Sequence, residues 1–160
     1  MVRTQLESEQ KEKYENLLGR EIRGEIRFKV RFDYRGNPRP ARFFFGAKGS
    51  KEVAEEVRQQ QAGMWRNVPL QGIYIENVEF LDLYSVYDEE EEENICYAPL
   101  ELTVTAYSLD DCLRFVNRTE FRRLEILEPS LMRLSSREME RFLHKVNETI
   151  RQTVKALESR

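Results

Sequence analysis

The chain has 160 residues, of which 40% are hydrophobic and 34% charged, and its formal net charge is −3 at pH 7. These values are typical of one folded domain with a solvated surface, and they exclude a largely disordered chain. No run approaches the roughly 18 consecutive apolar residues of a membrane-spanning helix, and the N-terminus has no apolar signal-peptide core, so we expect a cytoplasmic protein. Cys96 and Cys112 form no C-x-x-C pair, so neither a disulfide framework nor a zinc site is predicted.

The chain begins with a predicted helix followed by a predicted hairpin. Thr4 and Glu7 form a capping box in front of helically spaced apolar residues. Residues 22–34 alternate without a slip between apolar and charged side chains, which predicts an antiparallel strand with one solvated face. The Gly, Asn and Pro of residues 35–40 predict a turn, and we expect the returning strand of the hairpin at residues 41–47.

A short helix and one or two strands are predicted next. Residues 49–61 carry a thin apolar stripe, with Ser50 as a plausible N-cap, and we expect this helix to lie across the sheet. Trp65 falls on an apparent loop, where so large a group either fills the core or anchors an interface; we favour the core. Residues 70–87 are rich in β-branched and aromatic residues, but their alternation changes phase. This predicts one bulged strand or two short strands.

The following segment predicts a strand, a short helix and another strand. Residues 95–107 alternate again, and Pro99 indicates an edge position or a bulge near the start of that strand. Ser108 and Asp111 are expected to cap the short helix. The next strand is expected to end before Pro129, because the residue preceding a proline is restricted and the proline has no N–H to donate.

The last helix is the most strongly amphipathic segment of the chain. Ser135 and Glu138 form a capping box at its start. The apolar residues that follow recur at helical spacing on one stripe, and they are Met139, Phe142, Leu143, Val146, Ile150, Val154 and Leu157. The element order is then α-β-β-α-β-β-α-β-α within a single domain, residues 1–160. This order predicts an α+β fold, with an antiparallel sheet of about five strands and helices packed mainly on one face.

Acidic and basic residues occupy separate blocks of the sequence. Residues 67–112 contain twelve acidic side chains and no Lys or Arg, whereas residues 1–66 and 113–160 carry net charges of +5 and +4. Such segregation favours docking to a complementary partner or self-association. The alternative is that neighbouring strands bring the blocks together and cancel them across the sheet.

Five of the acids, Glu89–Glu93, are consecutive. We interpret them as the solvated turn of a long hairpin that pairs the segment near Tyr84 and Val86 with the segment near Ile95 and Tyr97. A partner-binding acidic finger is the main alternative. A calcium loop is not predicted, because the alternating oxygen ligands and the glycine of such a loop are missing.

A basic hairpin is the candidate binding site. Arg35, Arg39 and Arg42 lie among the aromatic residues of 32–45, and this composition suits phosphate contact and base stacking with RNA or single-stranded DNA. Lys48 follows in a glycine-rich turn, where an anion could sit at the N-terminus of the next helix. Against this, a plain strand-to-helix turn is the simpler interpretation, and the net acidic chain lacks the basic footprint of nucleic-acid binders.

No catalytic constellation is recognisable, so the sequence leans against an enzyme without deciding the point. His144, the only histidine, lies off the apolar stripe of the last helix, and we interpret it as a surface residue. Scattered carboxylates such as Glu76, Glu79 and Asp82 could form a catalytic pocket only if the fold brought them together. No cofactor or metal is implied.

The sequence therefore favours a non-enzymatic protein-interaction or adaptor domain. We expect it to act through its charge-segregated surface, with a protein partner or a second copy of itself, as a homo-oligomer. RNA or single-stranded DNA binding through residues 32–45 is the alternative.

Overall fold

The computed structural model describes residues 25–40, 46–67 and 69–159. The helix predicted within residues 1–24 lies outside the described residues. So does most of the returning strand predicted at residues 41–47.

The described residues form five strands and three helices. The strands are β1 (Ile26–Arg35), β2 (Ile73–Phe80), β3 (Tyr84–Asp88), β4 (Glu93–Ala106) and β5 (Phe121–Glu128). The helices are α1 (Ser50–Asn67), α2 (Leu109–Val116) and α3 (Ser136–Glu158). The strands form one five-stranded antiparallel sheet, so the predicted α+β class is confirmed. No helix within the described ranges is both long and apolar enough to cross a membrane.

The sheet has the order β2-β4-β1-β5, and β3 pairs with the first part of β4. β1 is an interior strand, with β4 on one edge and β5 on the other. It is therefore not one arm of a local hairpin, as the sequence had indicated, because its two edges are occupied by strands far away in the chain. The segment that follows β1 instead folds back on itself through two hydrogen bonds, each 3.0 Å, between the backbones of Arg39 and Lys48.

The core lies between the inner face of the sheet and the helices. Strict alternation places every second residue of β1 on this face, and the same pattern continues on β4. The buried side chains of these two strands are Ile26, Phe28, Val30, Phe32 and Tyr34 together with Ala98, Leu100, Leu102, Val104 and Ala106. α1 packs against both strands, so a helix covers the apolar face as predicted.

Trp65 lies on the last turns of α1, not on a loop, because the helix extends to Asn67 rather than ending near residue 61. The expected core position is confirmed, since only 5% of the residue is exposed. Its ring stacks on Phe32 at 5.7 Å and on Phe115 at 5.1 Å between ring centroids. Trp65 thereby joins α1, β1 and α2 in one aromatic stack.

Ser50 joins the start of α1 to the sheet instead of capping the helix. Its Oγ donates a hydrogen bond to the carbonyl oxygen of Gly36 at 2.6 Å and accepts one from the backbone N–H of Cys96 at 2.7 Å. Gly36 allows this close approach, because a Cβ at that position would lie 1.8 Å from the carbonyl oxygen of Ser50. The hydroxyl therefore fixes the helix against β1 and β4.

Pro99 occupies the middle of β4, where the sequence predicted an edge or a bulge. Its carbonyl oxygen accepts hydrogen bonds from the backbone N–H of Leu81 at 3.2 Å and from Nη1 of Arg58 at 3.0 Å. Leu81 belongs to the break between β2 and β3, which are two short strands, one of the predicted alternatives. The N–H and C=O groups of a strand residue point to the same side, so the missing N–H of Pro99 would have pointed into this break. No neighbouring strand there loses a hydrogen bond because the donor is missing.

The two predicted helix caps behave differently. At α3 the capping box is present: the backbone N–H of Glu138 donates to Ser135 Oγ at 3.1 Å, and the backbone N–H of Ser135 donates to Glu138 Oε2 at 2.7 Å. That hydrogen bond lowers the pKa of Glu138. At α2, Ser108 makes no side-chain cap; its hydroxyl donates to the Asp111 carboxylate at 3.0 Å.

Candidate functional site

Arg35, the first of the predicted binding residues, is paired with an acid. Its Nη2 lies 2.9 Å from Asp88 Oδ2, and its Nε donates to Asn37 Oδ1 at 2.8 Å. The pKa of Asp88 is lowered by the hydrogen bond from the Glu91 backbone N–H and by Arg35. The guanidinium therefore serves to hold the end of β1 against β3.

Arg39 and Lys48 converge on one acid of α1. Glu56 Oε2 lies 2.9 Å from Lys48 Nζ and 3.6 Å from Arg39 Nη1. The hydrogen bond from Lys48 lowers the pKa of Glu56. Arg42 lies outside the described residues. Each described member of the predicted set thus has an acidic partner, although Arg39 and Lys48 share one carboxylate, and this pairing leaves less positive charge for a phosphate.

The outer face of the sheet carries interleaved charges. Acids of β2 and β4, which belong to the acidic block of the sequence, lie beside the basic residues of β1 and β5. The ion pairs are Arg27–Glu76 at 3.0 Å, Lys29–Glu101 at 3.0 Å and Arg123–Glu101 at 3.7 Å. The predicted charge segregation therefore does not extend over the sheet, because antiparallel pairing of distant strands brings opposite blocks together.

Asp33 is the buried centre of a cluster on the same outer face, and only 3% of it is exposed. Its carboxylate accepts hydrogen bonds from Arg31 Nε at 2.7 Å and from the Tyr84 hydroxyl at 2.5 Å, and Arg122 Nε lies 3.5 Å away. The Tyr84 ring stacks on Tyr97 at 5.3 Å. Burial and the bond to Asp33 raise the pKa of Tyr84. The cluster supplies the buried carboxylate with hydrogen bonds and with two positive partners, and it joins β1, β3, β4 and β5.

The acidic run forms the turn between β3 and β4. The register pairs Tyr84 with Tyr97 and Val86 with Ile95, so the predicted long hairpin is confirmed. Residues 89–92 form an exposed turn, and Asp88 Oδ1 accepts hydrogen bonds from the backbone N–H groups of two of them, at 3.0 Å and 3.1 Å. No side chain of residues 89–93 makes a salt bridge to another described residue. The unneutralised negative charge is therefore concentrated at the tip of this hairpin.

Among the described residues, a long row of exposed apolar side chains lies on α3. No residue of this 23-residue helix is buried. Its apolar residues form two rows along the helix. Phe142 and Val146, with nearby Thr149, are half-buried on the side of α2, whereas the apolar residues of the other row are 41–63% exposed. These exposed residues, here named the α3 stripe, are Met139, Leu143, Ile150, Val154 and Leu157.

Few polar contacts hold α3 to the rest of the described structure. Asn117 Nδ2 donates to Thr153 Oγ1 at 3.2 Å, and Arg141 Nε lies 3.8 Å from Asp110 Oδ2. Both contacts lie on the α2 side of the helix. Neither covers the α3 stripe, which runs about 27 Å along the axis at 1.5 Å per residue.

A cleft lies beside the N-terminal end of α3. The cleft has a volume of about 130 Å³, and its lining includes Tyr107, Met132, Leu134 and Phe142. Its charged lining residues are of both signs, Arg133 and Arg141 with Glu25, Asp110 and Glu138. Tyr107 is 62% exposed and nearby Leu131 is 55% exposed. Exposed apolar side chains therefore also lie near the N-terminal end of the helix.

The residues weighed for catalysis do not come together. Glu76 binds Arg27 and accepts a hydrogen bond from Thr105 Oγ1 at 2.7 Å, and the bond from Thr105 with the Arg27 contact lowers its pKa. His144 is exposed on α3, as predicted. Within the ranges that the structure describes, no group of three or more His, Cys, Asp or Glu could hold a metal ion. Burial raises the pKa of the Cys112 thiol to about 11, which makes it a poor nucleophile.

Comparisons with protein-family models, with curated proteins and with solved structures found no match for the chain. The class of protein must therefore be argued from the surface described above. Sequence reasoning had identified the α3 stripe as apolar but had not singled it out as a site. The signal was present in the length of the apolar repeat, which exceeds what contact with the eight-residue α2 can cover.

Proposed function

We propose that the protein is a self-associating protein-interaction domain, and that the α3 stripe of one copy binds the α3 stripe of another. The observation that carries this proposal is the exposure of five large apolar side chains along a stable, capped helix. Contiguous apolar surfaces on soluble proteins mark interaction sites more often than isolated exposed residues do. The outer face of the sheet, in contrast, carries interleaved acidic and basic side chains that form ion pairs.

The expected strength of this interaction follows from the area that it buries. Each stripe residue is about half exposed, so its burial contributes roughly 1 kcal/mol. Two stripes together give a gain of the same order as the roughly 4–15 kcal/mol that association costs in lost freedom of motion. At the lower end of that cost the net gain is about 6 kcal/mol, which corresponds to a dissociation constant of tens of micromolar.

A second copy is the occupant that the stripe itself favours. The stripe carries no charged residue, and a two-fold interface requires one surface that is complementary to itself. The polar residues beside the stripe include both acids and bases, Glu140 and Glu158 with Arg151, so they provide opposite charges to a copy of themselves. Nucleic-acid binding at residues 32–45 remains an alternative prediction, but the acids that pair with Arg35, Arg39 and Lys48 do not support it.

Sedimentation equilibrium of the full chain at low and high salt tests the proposal. We expect a monomer–dimer equilibrium whose dissociation constant changes less than about threefold between 0.05 and 0.5 M NaCl, because burial of apolar surface is not screened by salt. A dimer that dissociates strongly at high salt would indicate that charged surfaces, such as the acidic hairpin turn, carry the contact. A monomer at several hundred micromolar would overturn the proposal.

A further inference from the structure

We infer that the two α3 helices of the dimer run antiparallel, with Leu157 of each copy placed over the cleft beside the α3 N-terminus of the other. This inference rests on the proposed function. It adds the relative direction of the two α3 helices and the residue, Leu157, that occupies the cleft of the other copy. Three independent features of the described surface point to it.

The first feature is the position of apolar exposure along the helix. At about 100° per residue, the five stripe residues fall within about 60° of the helix circumference. The stripe ends at Leu157 on the C-terminal side, and the cleft of Tyr107, Met132 and Leu134 lies beside the N-terminal end of the helix. An antiparallel pair brings these unlike ends together. A parallel pair would leave the cleft facing the cleft of the second copy.

The second feature is the register in which the stripes match. When Leu143 faces Ile150 of the second copy, Met139 faces Val154, and Leu157 lies within two residues of the level of Leu134. All these side chains are at least 37% exposed. One register therefore covers the whole stripe and fills the cleft with an apolar side chain. A shift by one helical turn would leave one end of each stripe uncovered.

The third feature is charge. Glu140 and Arg151 lie on the same flank of the stripe, near opposite ends of it. In an antiparallel pair this flank of one helix faces the same flank of the other, so Glu140 of each copy approaches Arg151 of the second copy. The same register brings Glu158 toward Arg133, which lines the cleft. A parallel pair would instead turn this flank toward the opposite flank of the second helix, so Glu140 would not approach Arg151, and the helix dipoles would be aligned rather than opposed.

Cysteine cross-linking of full-length single variants tests the arrangement. Chains carrying Met139→Cys or Val154→Cys would be treated with a short bismaleimide, each alone and as an equal mixture. We expect at least tenfold more cross-linked dimer in the mixture than in either chain alone, because like positions lie about 22 Å apart along the axis of an antiparallel pair. Wild type is the background control, since its two cysteines, Cys96 and Cys112, are buried.

A second mixture, of Leu134→Cys and Leu157→Cys chains, tests the cleft, and we expect it also to form mixed cross-links. Strong cross-linking of single variants alone would show a parallel pair and overturn the inference. A sedimenting dimer that forms no cross-link in either mixture would place the interface elsewhere. Cross-linking in the first mixture only would overturn the assignment of Leu157 to the cleft. All three of these outcomes leave self-association intact. A monomer would overturn the proposed function itself, and it is the result expected if residues 1–24 of the same chain covered the stripe.

Discussion

The double variant Leu143→Glu/Ile150→Glu is expected to be a folded monomer at concentrations where the wild type is a dimer. Both residues lie in the middle of the α3 stripe, and each is more than half exposed, so the isolated fold loses little when they become polar. In the dimer the change buries four uncompensated charges, and each costs far more than the contact that it replaces. We expect association to weaken at least about 100-fold, which corresponds to roughly 2.8 kcal/mol.

The matched control is His144→Glu/Gln152→Glu. This variant adds the same charge to the same helix at exposed positions off the stripe, and glutamate favours helix equally at all four sites. It is expected to associate like the wild type. Equal weakening by the two variants, measured by sedimentation equilibrium with circular dichroism as the check on folding, would mean that net charge rather than the stripe decides association.

Trp65→Ala is expected to lower the free energy of unfolding by about 3–5 kcal/mol. The side chain is buried and stacks on Phe32 and Phe115, so its removal leaves a cavity where α1, β1 and α2 meet. The arrangement of these rings is fixed by three different elements, and the cavity has little freedom to collapse. Urea unfolding followed by circular dichroism measures the loss.

Two further variants separate the aromatic stack from a general effect on α1. Met64→Ala, one residue away and 36% exposed, is expected to change stability by less than 1 kcal/mol. Trp65→Phe keeps an aromatic ring in place, and it gives up an Nε1–H that has no hydrogen-bond partner in the described structure. A smaller loss is therefore expected for Phe than for Ala. Similar losses for Met64→Ala and Trp65→Ala would show that the stack contributes nothing specific.

Local patterns in the sequence predicted the elements better than they predicted how those elements pair. Alternation along residues 26–34 correctly identified the buried face of β1, and the turn composition around Glu89–Glu93 correctly predicted the β3–β4 hairpin. Both properties depend on residues that are neighbours in the chain. The choice of strands that pair with β1 does not, because β4 and β5 are separated from it by tens of residues. Several strands in one sequence also share the same alternation, so the alternation does not identify the partner.

The length of α1 shows how tertiary packing outweighs a local preference. Gly63 costs a helix about 1 kcal/mol relative to alanine, which favoured an earlier end. The structure continues the helix through it, because Ala62 and Trp65 then become buried in the core. Burial of a Trp side chain contributes more than the glycine costs.

The candidate site was only half predictable. The apolar stripe of the last helix was evident from its spacing, and its capping box was predicted correctly. Whether the stripe is covered depends on where the helix lies relative to α2, and that is a property of the folded chain. The prediction of a charge-segregated surface failed on the outer face of the sheet for the same reason. There Arg27 pairs with Glu76 and Lys29 pairs with Glu101, although tens of residues separate the partners in sequence.

Hydrogen–deuterium exchange of the full chain at low and high protein concentration tests most directly whether the α3 stripe is the interface. Amides in a paired helix exchange more slowly because the contact opposes local opening. We expect slower exchange at high concentration across residues 139–157 and around the cleft, with no change in α1 or the β3–β4 turn. Unchanged exchange in α3 at a concentration where the chain sediments as a dimer would contradict the account.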